Sequence, residues 1–491
     1  MKTKNLSFDQ LLFDIQRQPN AISASPYDMA WLAWLMPSAR DWLLEAQHLD
    51  GSWGADLEYY HDRVVCTLAA INALAATSIN GHDMMRIQHG IKYLERATPR
   101  LSHDPTETVG FELLAPSLLN IGQKLGLDLQ QVALSLAPYE AIRRQKLALI
   151  PVAMLYSRES SAPYSLEFLG FEDLDRTAVA DLRFKNGSIH NSPAATAFCE
   201  IAGAGAPAGE DYLSSTMEYY QGVVPTFAPS DTFEISWSLL HLSLAEDLTQ
   251  FRRAMRPLMN IIEDGWGPHG AGLTREFPVD LDDTAAAYML LSTLSQAPDP
   301  KVFEAFEEED HFHCYQFERN ISLDVHIHLV MALRQSPDFP RRDDMLLKAI
   351  NILCRYLQSE YITDKWHVSP YYSTAHALIA LTGLVNDSLI QDQIHWLCRT
   401  QRADGSWTFY PQFPAAALEE TAHALLALLI VQRHNGSIAD DIIKRGIDYL
   451  RLHYHYYQDL PALWIAKTVY RPLHIARAVF LAAFSLYEQL Y

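Results

Sequence analysis

The chain has 491 residues, 49% of them hydrophobic, and carries 38 Lys+Arg against 59 Asp+Glu for a formal charge of -21. That length exceeds one small core and leaves room for two or three domains with a large internal cavity, while the acidic balance and the lack of any Lys/Arg block argue against nucleic acid as a partner. Five cysteines (Cys66, Cys199, Cys314, Cys354, Cys398) lie far apart without CxxC spacing, which excludes a disulfide framework or a cysteine zinc site and predicts a reducing, cytoplasmic setting.

The N-terminal stretch MKTKNLSFDQLLFDIQRQPN lacks the apolar core of a signal peptide, and no run approaches the roughly 18 uninterrupted apolar residues of a membrane span. Apolar residues recurring three and four apart then predict amphipathic helices over 64–76, 111–125, 234–244, 284–294, 321–333, 375–385, 416–432 and 473–487. No series of short Val/Ile/Thr-rich runs between Asn-Gly or Asp-Gly turns interrupts them, so the expected class is all-α. Between the helices a punctuation recurs. Gln47-His-Leu-Asp-Gly-Ser-Trp53-Gly and Gln401-Arg-Ala-Asp-Gly-Ser-Trp407 are near copies, and Asn186-Gly-Ser-Ile and Asp264-Gly-Trp266-Gly are looser ones. Gly permits a tight turn and Trp can stack under the Gln amide, a device suited to tying neighbouring helices of two α-barrels. The most linker-like stretch, Ile201 to Gly209, is short and reads as a loop within a domain.

Chemistry concentrates in Phe277-Pro-Val-Asp280-Leu-Asp282-Asp283-Thr284. Three carboxylates crowd the first turn of a predicted helix, where free N–H groups and the helix dipole favour them. Carboxylates this close cannot all ionise comfortably, so at least one should hold its proton near neutral pH and serve as a Brønsted acid. An acid can protonate an alkene only where aromatic faces in a dry cavity stabilise the cation that forms. Trp266, Phe227, Tyr288, Trp366, Tyr371 and Tyr372, in or beside Gly/Pro-containing loops, are the candidates. The competing chemistry, ionisation of a diphosphate by magnesium ions held on a DDxxD motif and a second Asn/Asp-rich motif, finds neither motif complete. Asp343-Asp344-Met-Leu-Leu347 lacks the last acid, and Asn386-Asp387-Ser388 lacks the downstream Ser and Glu.

Through nearly its whole length the chain resembles the class II diterpene cyclases, the copalyl, halimadienyl and kolavenyl diphosphate synthases, and their short bacterial members in particular. The resemblance is carried in order by Ser25-Pro-Tyr-Asp28-Met-Ala-Trp31-Leu-Ala, the DGSWG turn with His61-Asp62-Arg63, Val109-Gly-Phe-Glu112, Pro225-Thr-Phe-Ala-Pro-Ser-Asp231, the acid triplet, Asp364-Lys-Trp-His-Val-Ser-Pro-Tyr-Tyr372 and Leu463-Trp-Ile-Ala-Lys467-Thr-Val-Tyr470. It implies a βγ pair of α-barrels without a class I α domain: a β segment over 1–34, an inserted γ barrel over 35–245, and the β barrel with the acids over 246–491.

It further implies that Asp282 donates the proton while Asp280 and Asp283 orient it and tune its acidity, with Asp324 in support. Lys146 matches a family lysine that holds the diphosphate, and Lys365 is a second such candidate. Glu112, or the nearby Glu107, falls where the family has an acidic magnesium-associated motif, whose full pattern is absent; magnesium would accompany the diphosphate as counterion. The implied reaction is cyclisation of geranylgeranyl diphosphate to a bicyclic diphosphate, which a downstream class I terpene synthase or a phosphatase would consume.

Copalyl-type enzymes use a His and an Asn to hold a water that takes the final proton, and the matching positions here are Tyr164 and Thr226. A phenol is a weaker base than an imidazole and its face can stabilise a cation, so a rearranged halimane or clerodane skeleton, best read as kolavenyl diphosphate, is expected. The alternatives are a labdane-type copalyl product, or a drimane made from farnesyl diphosphate. A non-catalytic α-barrel would have lost the acid triplet. A protein prenyltransferase subunit would need Asp, Cys and His zinc ligands that the sequence does not supply, and the chain is short for a squalene-type cyclase.

Overall fold

The computed structural model describes residues 7–77, 81–316 and 318–491; the first six residues of the expected 1–34 segment lie outside them. Twelve helices position the site: α1 (Phe8–Arg17), α2 (Pro26–Leu32), α3 (Tyr60–Thr77), α4 (Phe111–Lys124), α5 (Gln130–Leu149), α6 (Pro193–Ile201), α7 (Asp231–Ser243), α8 (Leu281–Leu294), α9 (Leu323–Arg334), α10 (Pro370–Leu381), α11 (Ala417–Asn435) and α12 (Leu473–Leu490). Several begin on a side-chain cap. Ser25, Ser192 and Ser369 accept from the backbone one turn on, each just ahead of a proline at the first helical position, and Asp280 and Ser322 cap α8 and α9 in the same way. The Ser369-Pro370 cap explains why α10 starts earlier than the periodicity alone predicts.

Helices α7 to α12 close a ring, each against the next and α12 back against α7. These helices are buried nearly all round, as in α11, where every residue from Ala417 to Val431 is buried. A smaller ring of α2, α3, α4, the 3-10 segment Ala162–Leu169 and α6 closes likewise. These are the two α-barrels expected. Helix α2 belongs to the smaller barrel's core, with Trp31 against Phe198, whereas α7 belongs to the larger one. The cores therefore divide near Ser25 and near Thr226, and not at the expected 34 and 245, because the apolar faces of these two helices point into the opposite barrel. Helix α1 returns to the larger barrel, against α12 and the helix Arg252–Gly265.

The Gln–Trp turns are built alike in both barrels. Trp53 donates its indole N–H to Leu43 O and Trp407 to Leu397 O, both at 2.7 Å, and each donates its backbone N–H to the hydroxyl of a threonine fourteen positions on. The Gln amides donate to carbonyls: Gln47 to Gly51 and Arg86, Gln401 to Gly405 and Ile442. Gly51 and Gly405 hold φ of 98° and 90°, with a neighbouring carbonyl where a Cβ would sit.

One departure from the all-helical reading is a hairpin, β1 (Trp464–Ile465) paired antiparallel with β2 (Val469–Tyr470). It reaches from the larger barrel to the smaller: Val109 N–H bonds Ala466 O at 2.9 Å, and Asp62 accepts from Val469 N–H at 2.9 Å. Among the described residues one helical stretch, Pro414–Asn435, is long and apolar enough to cross a membrane, but 89% of that window is buried inside the barrel.

Candidate active site

Between the barrels opens a cavity with an empty space of about 1640 Å³ including its mouth. The acid triplet forms its floor. Asp280, the cap of α8, accepts from Asp283 N–H at 2.8 Å and from the Tyr315 hydroxyl at 2.8 Å. Asp283 accepts from the Trp237 indole at 2.9 Å. Asp282 turns the other way: its Oδ1 lies 2.7 Å from His328 Nδ1, and its side chain keeps 17% exposure to the cavity while that of His328 has none. Burial, then the charge of Asp283, pushes Asp280 well above the usual carboxylate range. Burial lifts Asp283 to about 7 against the Trp237 bond.

Beneath them His328 continues into a buried chain. His328 Nε2 meets His376 Nδ1 at 2.9 Å, His376 Nε2 meets His241 Nε2 at 3.2 Å, and His241 Nδ1 meets the Trp237 carbonyl at 2.8 Å. Burial lowers His241 to about 4 and, with the neighbouring imidazoles, holds His376 well below its ordinary value. His423 completes a cluster with His241 and His376 whose ring nitrogens lie within 4.8 Å of one another.

The predicted aromatics divide. Phe227, Trp366 and Tyr372 line the cavity. Trp266 and Tyr288 do not. Tyr288 lies two turns down α8, packs on Phe303 and receives a hydrogen bond from Ser336, with Trp266 beside it. Tyr371, a helical step of about 100° from Tyr372, stacks on Trp396 at 4.5 Å. Loop glycines and prolines were a poor guide here; the walls come instead from Phe233 and Trp237 of α7, from Phe277 and Tyr315, and from Trp464 and Tyr470 of the hairpin.

At the mouth stand three cation–carboxylate pairs. Lys146 on α5 holds Glu112 at 2.6 Å, Lys365 pairs with Glu318 and lies 5.1 Å above the Trp366 ring, and Arg319 pairs with Glu107. The structure thus gathers Lys146, Lys365, Glu107 and Glu112 at one rim and adds Arg319, a residue with no sequence signal of its own. Asp324 lies below the cavity, fully buried, bonded to Ser373 at 3.1 Å; burial and the charges of Asp364 and Asp282 push it well above its usual range. Tyr164 and Thr226 do come together, hydroxyl to hydroxyl at 3.0 Å. One face of the Tyr164 ring, however, already carries the Lys467 ammonium at 4.4 Å. His328, the partner of Asp282, was missed in the sequence, because a histidine on an apolar helix reads as core.

No family model matches the chain. A type B diterpene cyclase of Mycobacterium tuberculosis is 32% identical over 96% of this chain and 97% of its own. A syn-copalyl diphosphate synthase of Oryza sativa subsp. japonica is 32% identical over 71% of this chain, which spans about half the length of that plant protein. An ent-copalyl diphosphate synthase structure from Streptomyces platensis superposes with a TM-score of 0.78 at 26% identity, covering 97% of this chain and 98% of its own. With end-to-end likeness joined to an acid triplet floored in an aromatic cavity, the chain belongs to the class II diterpene cyclase family.

Proposed function

We propose that Asp282 protonates the terminal alkene of geranylgeranyl diphosphate and that the chain closes into a bicyclic diphosphate with its C–O bond intact. The observation that carries the assignment is the asymmetry of the triplet. Asp280 and Asp283 are buried and tied down by Tyr315 and Trp237, while Asp282, bonded through one oxygen to His328, keeps 17% of its side chain exposed in the cavity they all line. His328 fixes the opposite oxygen, so the acid cannot rotate away from the substrate. Phe233, Trp237, Tyr372 and Trp464 line the same cavity, and aromatic rings stabilise a tertiary cation without forming a bond to it.

Lys146, Lys365 and Arg319 hold the diphosphate at the rim. Magnesium fits the same rim by the chemistry of its donors, since Glu107 and Glu112 supply the hard carboxylate oxygens it prefers. When bound it would screen the charge that the diphosphate brings among these glutamates. The incomplete class I motifs leave the diphosphate in place, so the product passes to a class I terpene synthase or a phosphatase.

The skeleton we favour is rearranged, kolavenyl or halimane diphosphate. Burial pushes the Tyr164 phenol well above its ordinary range, so with Thr226 it forms a hydroxyl pair that retains its protons. A bicyclic cation that meets no base there survives long enough for hydride and methyl shifts. The test is incubation with geranylgeranyl diphosphate and magnesium, beside farnesyl diphosphate and an Asp282→Ala variant. Bicyclic alcohols released only after phosphatase, and absent with the variant, are expected, and their NMR spectra assign the skeleton. Hydrocarbons formed without phosphatase would overturn the reading.

A further inference from the structure

The chain of rings under Asp282 ends on a group that can only accept. The Trp237 carbonyl obliges His241 to carry its proton on Nδ1, so the lone pair of a neutral His241 lies on Nε2 and faces His376 Nε2 at 3.2 Å. His376 must then donate from Nε2 and accept at Nδ1, and His328 must donate from Nε2 across 2.9 Å. One backbone carbonyl therefore sets three ring tautomers, all in side chains excluded from water.

We propose that His241 and His376 are positioning residues that make His328 an imidazolium whenever Asp282 presents its proton to the cavity. With Nε2–H of His328 committed to His376, its Nδ1 has two states. In one it is a bare lone pair that accepts the Asp282 proton at Oδ1, across 2.7 Å, and turns the acid away from the cavity. In the other it is an N–H that holds Oδ1 while the acid proton sits on Oδ2, and the ring is then a cation beside the acid. A positive charge at that distance favours the carboxylate that remains after transfer and so strengthens the acid in the direction the reaction needs. The O–H bond of Asp282 breaks, its electrons stay on the carboxylate paired with the imidazolium, and the proton forms the new C–H bond. When a later step deprotonates the hydrocarbon cation, the proton returned to solvent balances the one consumed.

The ionisable groups packed around the pair leave the imidazolium as the main local cation. Helix α8 supplies Asp280 and Asp283, α9 supplies Asp324, α10 supplies Tyr372 and His376, α7 supplies His241, α11 supplies Glu419 and His423, and the loop before α10 supplies Asp364, Lys365 and His367. Lys365 is engaged by Glu318 and by Asn320 O at 3.0 Å.

The inference rests on Asp282 being the acid, and the two fail differently: that reading falls if Asp282→Ala stays active, this one by a pH profile. The experiment is kcat and KM against pH with geranylgeranyl diphosphate for the unmodified enzyme, His241→Phe and His376→Phe, with circular dichroism to confirm folding. Freed of the carbonyl's constraint, His328 can take the neutral Nδ1–H tautomer and still hold Asp282. Each variant is then expected to lose roughly 10- to 100-fold in plateau kcat at unchanged KM, the scale of impaired general-acid catalysis, while its alkaline limb moves up by about one pH unit. A lower plateau with an unmoved limb means a merely structural role and overturns the proposal. Should neither variant fold, nitrogen spectra of the unmodified protein labelled in its histidine rings decide: His241 protonated at Nδ1 alone supports the proposal, and protonation at Nε2 overturns it. A stoichiometric zinc ion copurifying with the protein would also overturn it, because the facing Nε2 atoms would then be ligands.

Discussion

Asp282 is set apart from its neighbours by what touches it. A tyrosine and an indole hold Asp280 and Asp283, and a histidine on the far side leaves one oxygen of Asp282 free. Asp282→Asn keeps the shape and the His328 contact but carries no acid, so turnover should fall by about 10³-fold or more in a single-turnover assay, with substrate binding little changed. The three acids were legible in the sequence from their crowding alone. Their division of labour was not, since it depends on Tyr315, Trp237 and His328, which come from three other segments. Away from the site, Glu234 shows how burial writes a pH dependence. It accepts from Ala21 N–H at 2.7 Å and His474 N–H at 3.4 Å, and burial raises it to about 8 from an ordinary 4.5. The folded state therefore binds the extra proton between those values, and the stability it confers is lost as pH rises from 4.5 through 8. Glu234→Gln removes the titration while keeping one of the two acceptor oxygens, so whatever its constant offset, its melting temperature relative to the unmodified protein should climb by several degrees between pH 5 and pH 8.5.

Helices were the most readable elements, because each ring helix buries one face and several announce their start with Ser-Pro or Asp. The Gln–Trp turns were also legible as repeats, though not the bonds that make them work. In each the indole N–H meets a carbonyl from the preceding helix. Removing that donor leaves a carbonyl buried without its partner and a gap where the larger ring packed. Trp53→Phe and Trp407→Phe should each cost on the order of 1–3 kcal/mol by urea denaturation, with similar values in the two barrels. The hairpin Trp464 to Tyr470 escaped notice, since two-residue strands have no period to detect.

At the scale of the whole molecule that hairpin is the joint. Lys467 at its tip is fully buried and donates to Glu167 at 2.8 Å, Ser192 at 2.7 Å and Tyr164 O at 3.0 Å, all on the smaller barrel. Tyr27 adds its hydroxyl to Glu167 at 3.0 Å. A methionine in place of Lys467 would leave the Glu167 carboxylate buried without its cation, a loss of about 3–5 kcal/mol. Lys467→Met should therefore split the calorimetric transition into two, one per barrel, while each barrel keeps its helical signal. The boundaries between the barrels were hard to read for a related reason. Helices α2 and α7 sit beside the crossing points, and an amphipathic helix does not state in which of two cores its apolar face will lie.

The matched turns have one more implication. Leu43, Trp53 and Thr67 stand to the first barrel as Leu397, Trp407 and Thr421 stand to the second, with the same sequence offsets and nearly the same bond lengths. Such agreement is what the duplication of one ancestral barrel would leave behind. The protein thus carries its own control: any change made to the turn of one copy can be compared with the same change in the other, in the same molecule and under the same solvent conditions.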